Sequence, residues 1–410
     1  MKTTGEIKDL LQKKELDSTL LDIYLDESRL DYQRQRYIDA LAKYEELYGA
    51  GEVSIFSAPG RSEIGGNHTD HQHGEVLAAS INLDAIAITA PVDEPVVRVV
   101  SDGYDMITVS LDDLAVKEEL KGTTDSLIRG VLEGIQKHGG KIGGFRAYIT
   151  SDVLIGAGLS SSAAFETIIG TIISGIYNDM KLSPVDIAII GQYAENVHFG
   201  KPSGLMDQLA CALDGAVYID FAAGEIAPVA APFADMGLTL SLTDTGGSHA
   251  GLTAAYAALP ADMCSVARRF GAETLSQVDP ADFYAHRQPG LADDRAAHFF
   301  EENARVPQMR DALVRRDAAA YLRLMNASGR SSEQLLRNIR APGGDDRLER
   351  GLQRAAELLD GVGAWRVHGG GFAGCVQALM PCDAFPAYKK GMEALFGHGS
   401  CRELHMTGAK

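Results

Sequence analysis

The segment GAGLSSSAA (156–164) constrains the fold of this chain more than any other. It follows the strand-like run FRAYIT (145–150) and opens a long apolar stretch that reaches about residue 177, so we predict a strand, a tight glycine turn and a helix. Glycines let backbone N–H groups approach a ligand, and a helix start adds free N–H groups and about half a positive charge. Three serines exceed what a helix cap needs. We interpret the segment as a phosphate site; a Ser/Gly-rich cap without a ligand is the plainer alternative.

This candidate phosphate site carries no lysine. The segment matches neither Gly-x-x-x-x-Gly-Lys-Ser/Thr nor Gly-x-Gly-x-x-Gly, so we expect a divalent cation to neutralise the phosphates. The whole chain is acidic, because 38 Lys+Arg against 56 Asp+Glu give a formal net charge of −18 over 410 residues. That excess argues against nucleic acid or an anionic membrane surface as a partner. No apolar run approaches the ~20 residues of a membrane-spanning helix.

A second polar segment, SAPGRSEIGGNHTDHQHG (57–74), concentrates Arg, Asn, His and Asp side chains around glycines. Carboxylate and amide groups bind hydroxyls, and a guanidinium binds a phosphate or a developing anion. We interpret the segment as a binding loop for a polyhydroxylated ligand. A metal site at His68, His71 and His73 is a second interpretation, although no helical His-Glu-x-x-His frame supports it. An ordinary polar surface loop is the third.

Two further segments contain residues that could take part in catalysis or in ligand binding. AENVHFGKPSGLMDQ (194–208) places Glu195 on one predicted helix and Asp207 on the next. A pair of carboxylates can divide into a metal ligand and a proton acceptor, although each of them alone is commonly a surface acid. HGGGFAGC (368–375) sets three glycines between two predicted strands, which permits close approach of a ligand or of another loop.

Strands and helices follow one another without regular βαβ alternation, which favours an α+β fold over a doubly wound sheet. We predict helices over 1–50, 125–138, 160–177 and most of 250–360, with breaks at Pro260, Pro289 and Pro342-Gly343-Gly344. We predict strands at VSIFS, DAIAITAPV, VRVV, 145–150, 216–221, 238–245 and on both sides of a turn within 363–380, and a turn at Pro59-Gly60. At ~150 residues per domain, the length indicates two or three domains, and an Ala/Pro/Gly-rich stretch at 222–236 is the best boundary.

Together these segments resemble the GHMP small-molecule kinases and, within them, the galactokinase family. PGRSEIGGNHTD (59–70) is similar to the family's sugar-binding signature Pro-Gly-Arg-Val-Asn-Leu-Ile-Gly-Glu-His-Thr-Asp. GAGLSSSAA resembles the ATP-phosphate loop, GKPSGLMDQ (200–208) the segment with the catalytic aspartate, and HGGGFAGC the third motif. A tyrosine seven residues after a histidine, at Tyr256 and His249, also resembles the family. The resemblance covers roughly residues 50–408.

The resemblance implies an ATP-dependent sugar 1-kinase that converts galactose and ATP to galactose 1-phosphate and ADP. Asp207 would take the proton of the anomeric hydroxyl, and Arg61 beside it would stabilise the transferring phosphoryl group. Ser162 and Glu195 would hold Mg²⁺. The implied fold is α+β, with a ribosomal-S5-like N-terminal domain over 51–225 and a ferredoxin-like C-terminal domain over 226–410, preceded by a helical extension over 1–50.

The resemblance also implies the binding residues. The ATP phosphates would contact Gly156, Ala157, Gly158, Leu159, Ser160, Ser161 and Ser162, with a minor nucleotide contact from Ser101. The sugar would contact Asn67, His68, Thr69, Asp70 and Tyr256. MgATP and a small sugar are therefore the expected partners, and the oligomeric state is left open.

The chain departs from the family pattern at several positions. Ser62-Glu63 stands where the family has Val-Asn, and Gly65-Gly66-Asn67 where it has Ile-Gly-Glu. In the family that glutamate contacts sugar hydroxyls, with C6 the expected position. Leu154 replaces a proline, and IRAPGGDD (339–346) replaces Ser-Cys-Pro-Glu-Leu-Asp. These departures indicate a divergent branch in which the reaction class is better determined than the sugar.

Other functions stay open on the sequence alone. An asparagine at position 67 is compatible with galactose, with galacturonate, or with L-arabinose or N-acetylgalactosamine. A sugar- and ATP-sensing regulator without catalysis is a further alternative, although the serines and Asp207 are intact. A mevalonate or homoserine kinase fits the sugar motif badly. Five scattered cysteines without a Cys-x-x-Cys pair indicate reduced thiols, and we expect a cytoplasmic protein.

Overall fold

The computed structural model describes residues 1–154, 158–247 and 251–407. Its helices are α1 (Thr4–Gln12), α2 (Asp17–Tyr24), α3 (Leu30–Tyr48), α4 (Thr124–Lys137), α5 (Ser161–Tyr177), α6 (Pro184–Tyr193), α7 (Met206–Ala212), α8 (Thr253–Arg269), α9 (Pro280–Ala285), α10 (Leu291–Val314), α11 (Ala318–Ser331), α12 (Arg347–Leu359) and α13 (Phe385–Phe396). Its strands are β1 (Lys2–Thr3), β2 (Glu52–Gly65), β3 (Glu75–Pro91), β4 (Val96–Ser101), β5 (Ile107–Ser110), β6 (Phe145–Ser151), β7 (Ala216–Asp220), β8 (Glu225–Val229), β9 (Leu238–Asp244), β10 (Ala364–His368), β11 (Cys375–Pro381) and β12 (Cys401–Leu404).

The chain forms two compact units that interleave along the sequence. Unit 1 contains residues 1–61, 80–154 and 160–214. Unit 2 contains residues 62–79, Gly158 and Leu159, and the chain from Gly215 onward. The division at 50/51 and 225/226 that the sequence suggested stays a prediction.

Unit 1 is built on a mixed sheet. Its strand order is β1-β2-β3-β6-β4-β5, in which β4 and β6 are parallel and β3 and β6 antiparallel. Helices α4, α5 and α6 pack on one another, and an aliphatic core joins them to the sheet through residues such as Val131, Ile168 and Ile190. The core fixes the start of α5, which bears the serines of the phosphate motif.

The N-terminal helices are part of the core of unit 1. Leu11, Leu20 and Tyr44 are buried in one apolar cluster with Ile86 and Ile88 of β3. Arg36 of α3 is buried and donates to Asp84 Oδ1 at 2.7 Å. Because burying these side chains stabilises the folded state, residues 1–48 support the sheet of unit 1.

Unit 2 contains a four-stranded antiparallel sheet in the order β10-β11-β9-β12. Helices α11, α12 and α13 pack against its strands, and α8 packs on α10. Strands β7 and β8 form a hairpin that pairs with the first part of β3, from Glu75 to Ala79. The glycine turn at 369–371 joins β10 to β11, as the sequence predicted.

Most predicted elements are confirmed, with three differences. Pro59 and Gly60 lie inside β2 and do not form a turn; a proline is compatible with a strand where its position needs no N–H donor. Helix α8 continues through Pro260, because Leu259 and Met263 are buried in the core of unit 2 and offset the missing hydrogen bond. Strands β1, β5, β8 and β12 were not predicted.

Two further observations concern the whole described chain. No helix among residues 1–154, 158–247 and 251–407 has the length and apolar character needed to cross a bilayer. All five cysteines are free thiols, and three of them (Cys211, Cys375 and Cys401) are buried.

Candidate active site

Six polar side chains of unit 1 gather where α5 begins, and we call them the catalytic cluster. Strand β2 supplies one, the start of α5 two, and the segment 194–208 three. The members are Arg61, Ser160, Ser162, Glu195, Lys201 and Asp207. The sequence had assigned five of these six a role, and the structure brings all six together.

Arg61 and Asp207 form the central ion pair of the catalytic cluster. Arg61 Nε donates to Asp207 Oδ1 at 2.8 Å, and Arg61 Nη2 lies 2.7 Å from the same oxygen. Arg61 is buried, whereas 31% of the Asp207 side chain is exposed. The pair therefore presents a carboxylate that is held in place yet open to solvent on one side.

Ser160 forms a hydrogen bond with the second carboxylate oxygen of Asp207. Its hydroxyl donates to Asp207 Oδ2, and its backbone is in the left-handed region at φ +57°. Ser160 precedes α5 but makes no capping bond to that helix. Burial of the carboxylate opposes ionisation, but Arg61 and Ser160 outweigh burial and hold the pKa of Asp207 below its ordinary value.

Glu195 lies beside this pair and accepts three hydrogen bonds. Ser162 Oγ donates to Glu195 Oε1 at 3.0 Å, and Lys201 Nζ donates to the same oxygen at 2.7 Å. Gln208 Nε2 donates to Glu195 Oε2 at 2.9 Å. Glu195 is buried, so its charge depends on these three donors for compensation.

A second buried acid, Glu166 of α5, shares Gln208 with Glu195. Gln208 Nε2 donates to Glu166 Oε2 at 3.1 Å, and Glu166 Oε1 has no hydrogen-bond partner. Burial and the charge of Glu195 raise the pKa of Glu166 well above its usual value. Glu166 therefore favours its protonated form.

The segment that bears Glu195 is a π-helical turn, Ala194–Phe199. Such turns are rare and frequently occur at functional sites. His198 of this turn is buried and lies 2.8 Å from Glu133 Oε2 of α4 through Nε2. The contact anchors the turn to α4 and so fixes the position of Glu195.

Ser162 and Glu195 fit a magnesium ion by donor type, since a hydroxyl and a carboxylate oxygen converge within 3.0 Å. Mg²⁺ commonly takes one or two protein oxygens and completes its shell with water and substrate phosphates. Among the described residues, no group of three or more His, Cys, Asp or Glu side chains is arranged to hold a metal. The interpretation of His68, His71 and His73 as a metal site is therefore not supported by an arrangement of this kind.

In unit 2, the backbone carbonyls of the glycine turn 369–371 accept hydrogen bonds from three residues that were predicted to contact the sugar. Asn67 Nδ2 donates to the carbonyl of Gly369 at 2.9 Å, and His68 Nε2 to that of Gly370 at 3.0 Å. The Tyr256 hydroxyl donates to the carbonyl of Gly371 at 2.7 Å. A Cβ on Gly370 or Gly371 would lie within 2.7 Å of Tyr256 or Asn338, so the turn requires glycine. The glycines thus serve close packing of side chains.

His68 has one defined tautomer. Burial lowers the pKa of His68 to about 4, with His71 as a second cause, so the ring is neutral at pH 7. Because a carbonyl only accepts, the proton lies on Nε2, which bonds Gly370, and Nδ1 is left as an acceptor. His68 is half-buried and its backbone φ is +59°.

Asn67 is fully engaged by the protein. Its Oδ1 accepts from Ser332 Oγ at 3.2 Å and from Asn338 Nδ2 at 3.3 Å, and it is 1% exposed. Its Nδ2 lies 3.3 Å from Glu63 Oε1 in addition to the Gly369 contact. The side chain of Asn67 therefore forms hydrogen bonds that link several segments of unit 2.

The remaining predicted residues divide by exposure. Thr69 is buried and its hydroxyl bonds the carbonyls of Gly66 and Glu75, whereas Asp70 begins a 3₁₀ turn with 13% of its side chain exposed. Ser161 lies in the first turn of α5, and Ser101 ends β4 without a hydrogen bond to the catalytic cluster among the described residues. Gly158 and Leu159 precede Ser160 in the chain, while Gly156, Ala157 and His249 lie outside the described residues.

Comparison with known proteins agrees with these motifs. A model described as "GHMP kinases N terminal domain" matches residues 126–215, and one described as "Galactokinase galactose-binding signature" matches residues 42–91. A curated galactokinase of Actinobacillus pleuropneumoniae serotype 3 is 32% identical over 354 residues, which is 83% of this chain and 89% of that protein. The chain belongs to the galactokinase family of GHMP kinases.

Solved structures of GHMP kinases share the fold. Lactococcus lactis galactokinase, crystallised with galactose, matches with a TM-score of 0.79 at 22% identity over 89% of this chain and 97% of that one. Methanococcus jannaschii mevalonate kinase matches with a TM-score of 0.64 at 16% identity over 87% and 99%. The predicted α+β, two-domain GHMP kinase fold is confirmed.

Membership of the galactokinase family makes this chain a sugar kinase, a phosphotransferase for which ATP is the phosphoryl donor. Three residues of this galactokinase-type chain had no predicted role: Lys201, Gln208 and Glu302. Gln208 directly follows the predicted base Asp207 in the sequence, and this position could have indicated that it belongs to the site. Glu302 lies on α10 and accepts from the backbone N–H groups of Gly66 and Asn67, each at 3.2 Å, and no local pattern marks it.

Proposed function

We propose that this chain is a galactokinase that phosphorylates the anomeric hydroxyl of galactose with ATP. The observation that carries the proposal is the arrangement of Asp207, which lies in the first turn of α7, pairs with Arg61 and accepts a hydrogen bond from Ser160, the residue before α5. A phosphoryl transfer asks the protein for positioning and for charge stabilisation rather than for covalent chemistry. The catalytic cluster offers both.

Asp207 acts as the base in the proposed mechanism. Its lowered pKa keeps the carboxylate ionised at neutral pH. The proton of the anomeric hydroxyl passes to Asp207, the sugar oxygen bonds the γ-phosphorus, and the bond from that phosphorus to the ADP oxygen breaks. A carboxylate is a weak base for a hydroxyl, but a loose transition state lets the proton leave late.

Arg61 has two functions in this proposal. It orients Asp207 through two N–H groups on one oxygen, and its positive charge lies beside the site where negative charge develops. The backbone N–H groups at the start of α5, near Ser161 and Ser162, would bind the phosphates of ATP. Mg²⁺ held by Ser162 and Glu195 would supply charge neutralisation for the β- and γ-phosphates.

We assign the sugar contacts from the exposure of each side chain and from its capacity to form hydrogen bonds. His68 Nδ1 would accept a hydrogen bond from a sugar hydroxyl, and the carboxylate of Asp70 would accept another. Tyr256 would contact the ring with its aromatic face while its hydroxyl stays on Gly371. Asn67 and Thr69 support this set through the protein bonds described above.

The test is a product assay. We expect incubation with MgATP and galactose to yield galactose 1-phosphate, identified by ³¹P NMR, together with an equal amount of ADP. Absence of product with galactose, but turnover of another sugar, would reject galactose as substrate. Absence of product with every sugar would favour a sugar- and ATP-sensing regulator.

One observation favours a second substrate class. The family glutamate is replaced by Asn67, whose side chain is fully bonded within the protein. This position therefore offers no carboxylate to a sugar hydroxyl, which suits galacturonate, L-arabinose or N-acetylgalactosamine. A panel of these sugars and galactose, ranked by kcat/KM, distinguishes the classes.

A further inference from the structure

Lys201 lies where a cation bound to Glu195 would lie. Its Nζ is 2.7 Å from Glu195 Oε1, the same oxygen that Ser162 Oγ contacts at 3.0 Å. The two candidate magnesium ligands thus converge on an oxygen that an ammonium group already holds.

The charges of the catalytic cluster balance with Lys201 in place. Arg61 and Lys201 provide two positive charges, and Asp207 and Glu195 provide two negative charges. Glu166 adds no charge while it stays protonated. A neutral cluster has little attraction for a free divalent cation.

We propose that Lys201 is the resident cation of this site, and that it holds Glu195 until a divalent cation arriving with the nucleotide displaces it. The inference rests on the proposed metal role of Ser162 and Glu195. Lys201 is then a positioning residue that couples metal entry to nucleotide entry. Free Mg²⁺ competes poorly with the ammonium, whereas MgATP brings phosphate oxygens that complete the metal shell.

Lys201 is able to leave Glu195 without unfolding the site. The lysine side chain is 56% exposed, whereas the glutamate side chain is 3% exposed. Lys201 lies between the π-helical turn and α7, directly after Gly200 at φ +83°, outside any helix or strand. Glu195 keeps its bond from Gln208 on the other oxygen, so the carboxylate stays oriented when the ammonium departs.

The experiment is a Mn²⁺ titration of the nucleotide-free, full-length protein, with free Mn²⁺ measured by electron paramagnetic resonance. Lys201→Met removes the competing ammonium, so we expect it to bind Mn²⁺ about five- to tenfold more tightly than the parent protein. Lys201→Arg keeps the charge and should resemble the parent. Lys121→Met is the matched control, because Lys121 pairs with Glu118 at 2.8 Å and has no bond to Glu195.

Glu195→Gln separates this inference from the metal site on which it rests. In the Lys201→Met background, Glu195→Gln should abolish the gain in Mn²⁺ affinity. A gain that survives Glu195→Gln places the metal elsewhere and overturns both proposals. If Lys201→Met shows no gain while Glu195→Gln still weakens Mn²⁺ binding in the presence of ADP, the metal site stands and the role of Lys201 is overturned. Neither result depends on which sugar is the substrate.

Discussion

The hydroxyl of Ser160 donates to Asp207 Oδ2, although Ser160 stands where a serine would ordinarily cap helix α5. The left-handed backbone of Ser160, at φ +57°, turns the side chain away from the helix N–H groups. Those N–H groups are left for a ligand, and the carboxylate gains a donor. In the proposed function, Ser160 would therefore serve both the phosphate site and the base.

The first prediction concerns the pKa of the base. Ser160→Ala removes a donor that favours the ionised carboxylate, so the pKa of Asp207 should rise. A net hydrogen bond is worth about 1 kcal/mol, so we expect the acid limb of the kcat/KM–pH profile to move to higher pH by about 0.5 to 1 unit. Ser161→Ala is the control: it should change the KM for ATP and leave the acid limb in place. A limb that Ser160→Ala does not move would contradict the role of Ser160.

The second prediction concerns His68 and the stability of the fold at acid pH. The pKa of His68 is about 4 in the folded protein and ordinarily about 6.5, so the unfolded chain binds more protons between these values. Stability should therefore fall as pH drops from 6.5 toward 4. His68→Asn suits the left-handed backbone and cannot titrate. Between pH 7.5 and 5 we expect the parent to lose about 2 kcal/mol more than this variant in urea unfolding; equal losses would contradict a neutral His68 ring with a lowered pKa.

The third prediction concerns Glu302, the buried acid beneath the sugar motif. Glu302 bonds two backbone N–H groups and Ser328, and pairs with Arg305. Glu302→Gln leaves an uncompensated positive charge, so we expect a loss of about 3 kcal/mol in the free energy of unfolding. Glu301→Gln on the same helix is the control, since that side chain is 44% exposed and should change stability by less than about 0.5 kcal/mol. Similar losses in the free energy of unfolding for Glu302→Gln and Glu301→Gln would contradict the stabilising role of Glu302.

The fourth prediction concerns an exchange within the sugar motif. The family has Asn and Glu where this chain has Glu63 and Asn67, so acid and amide have changed places. The two side chains still contact each other at 3.3 Å, and Arg366 Nη2 lies 3.1 Å from Glu63 Oε1. Asn67→Glu alone would bury two adjacent carboxylates and should cost about 2 kcal/mol of stability.

The double variant tests whether these positions act as a pair. Glu63→Asn with Asn67→Glu restores one acid and one amide, and we expect a favourable coupling of at least about 1 kcal/mol in a double-mutant cycle. If the exchange also sets the substrate, the double variant should shift the kcat/KM ranking toward galactose. Additive changes in the free energy of unfolding would show that the two positions are not energetically coupled.

Motifs predicted the catalytic cluster well because its residues are close in sequence to recognisable turns. Arg61, Ser162, Glu195 and Asp207 were identified in this way, and the structure brings them together. The roles assigned to them remain proposals. The helix start after glycine 158 was predictable as well, since an apolar run follows a Gly/Ser turn.

The features that escaped prediction depend on geometry that the sequence does not express. Lys201 reaches Glu195 because a π-helical turn and a left-handed glycine bend the chain between them. The carbonyls of the glycine turn accept side-chain bonds, whereas the sequence only indicated that something approaches closely there. Helix α8 passes through Pro260 because tertiary burial outweighs local propensity.

The central claim is that Asp207 is the base for transfer to a sugar hydroxyl, and a single-turnover measurement of Asp207→Asn tests it most directly. With enzyme in excess over ATP, we expect the rate of galactose 1-phosphate formation to fall by about 10²- to 10⁴-fold, while ATP affinity changes little. Asp214→Asn, at an exposed position in the same unit, should match the parent. A rate for Asp207→Asn within a few-fold of the parent would contradict the proposed mechanism.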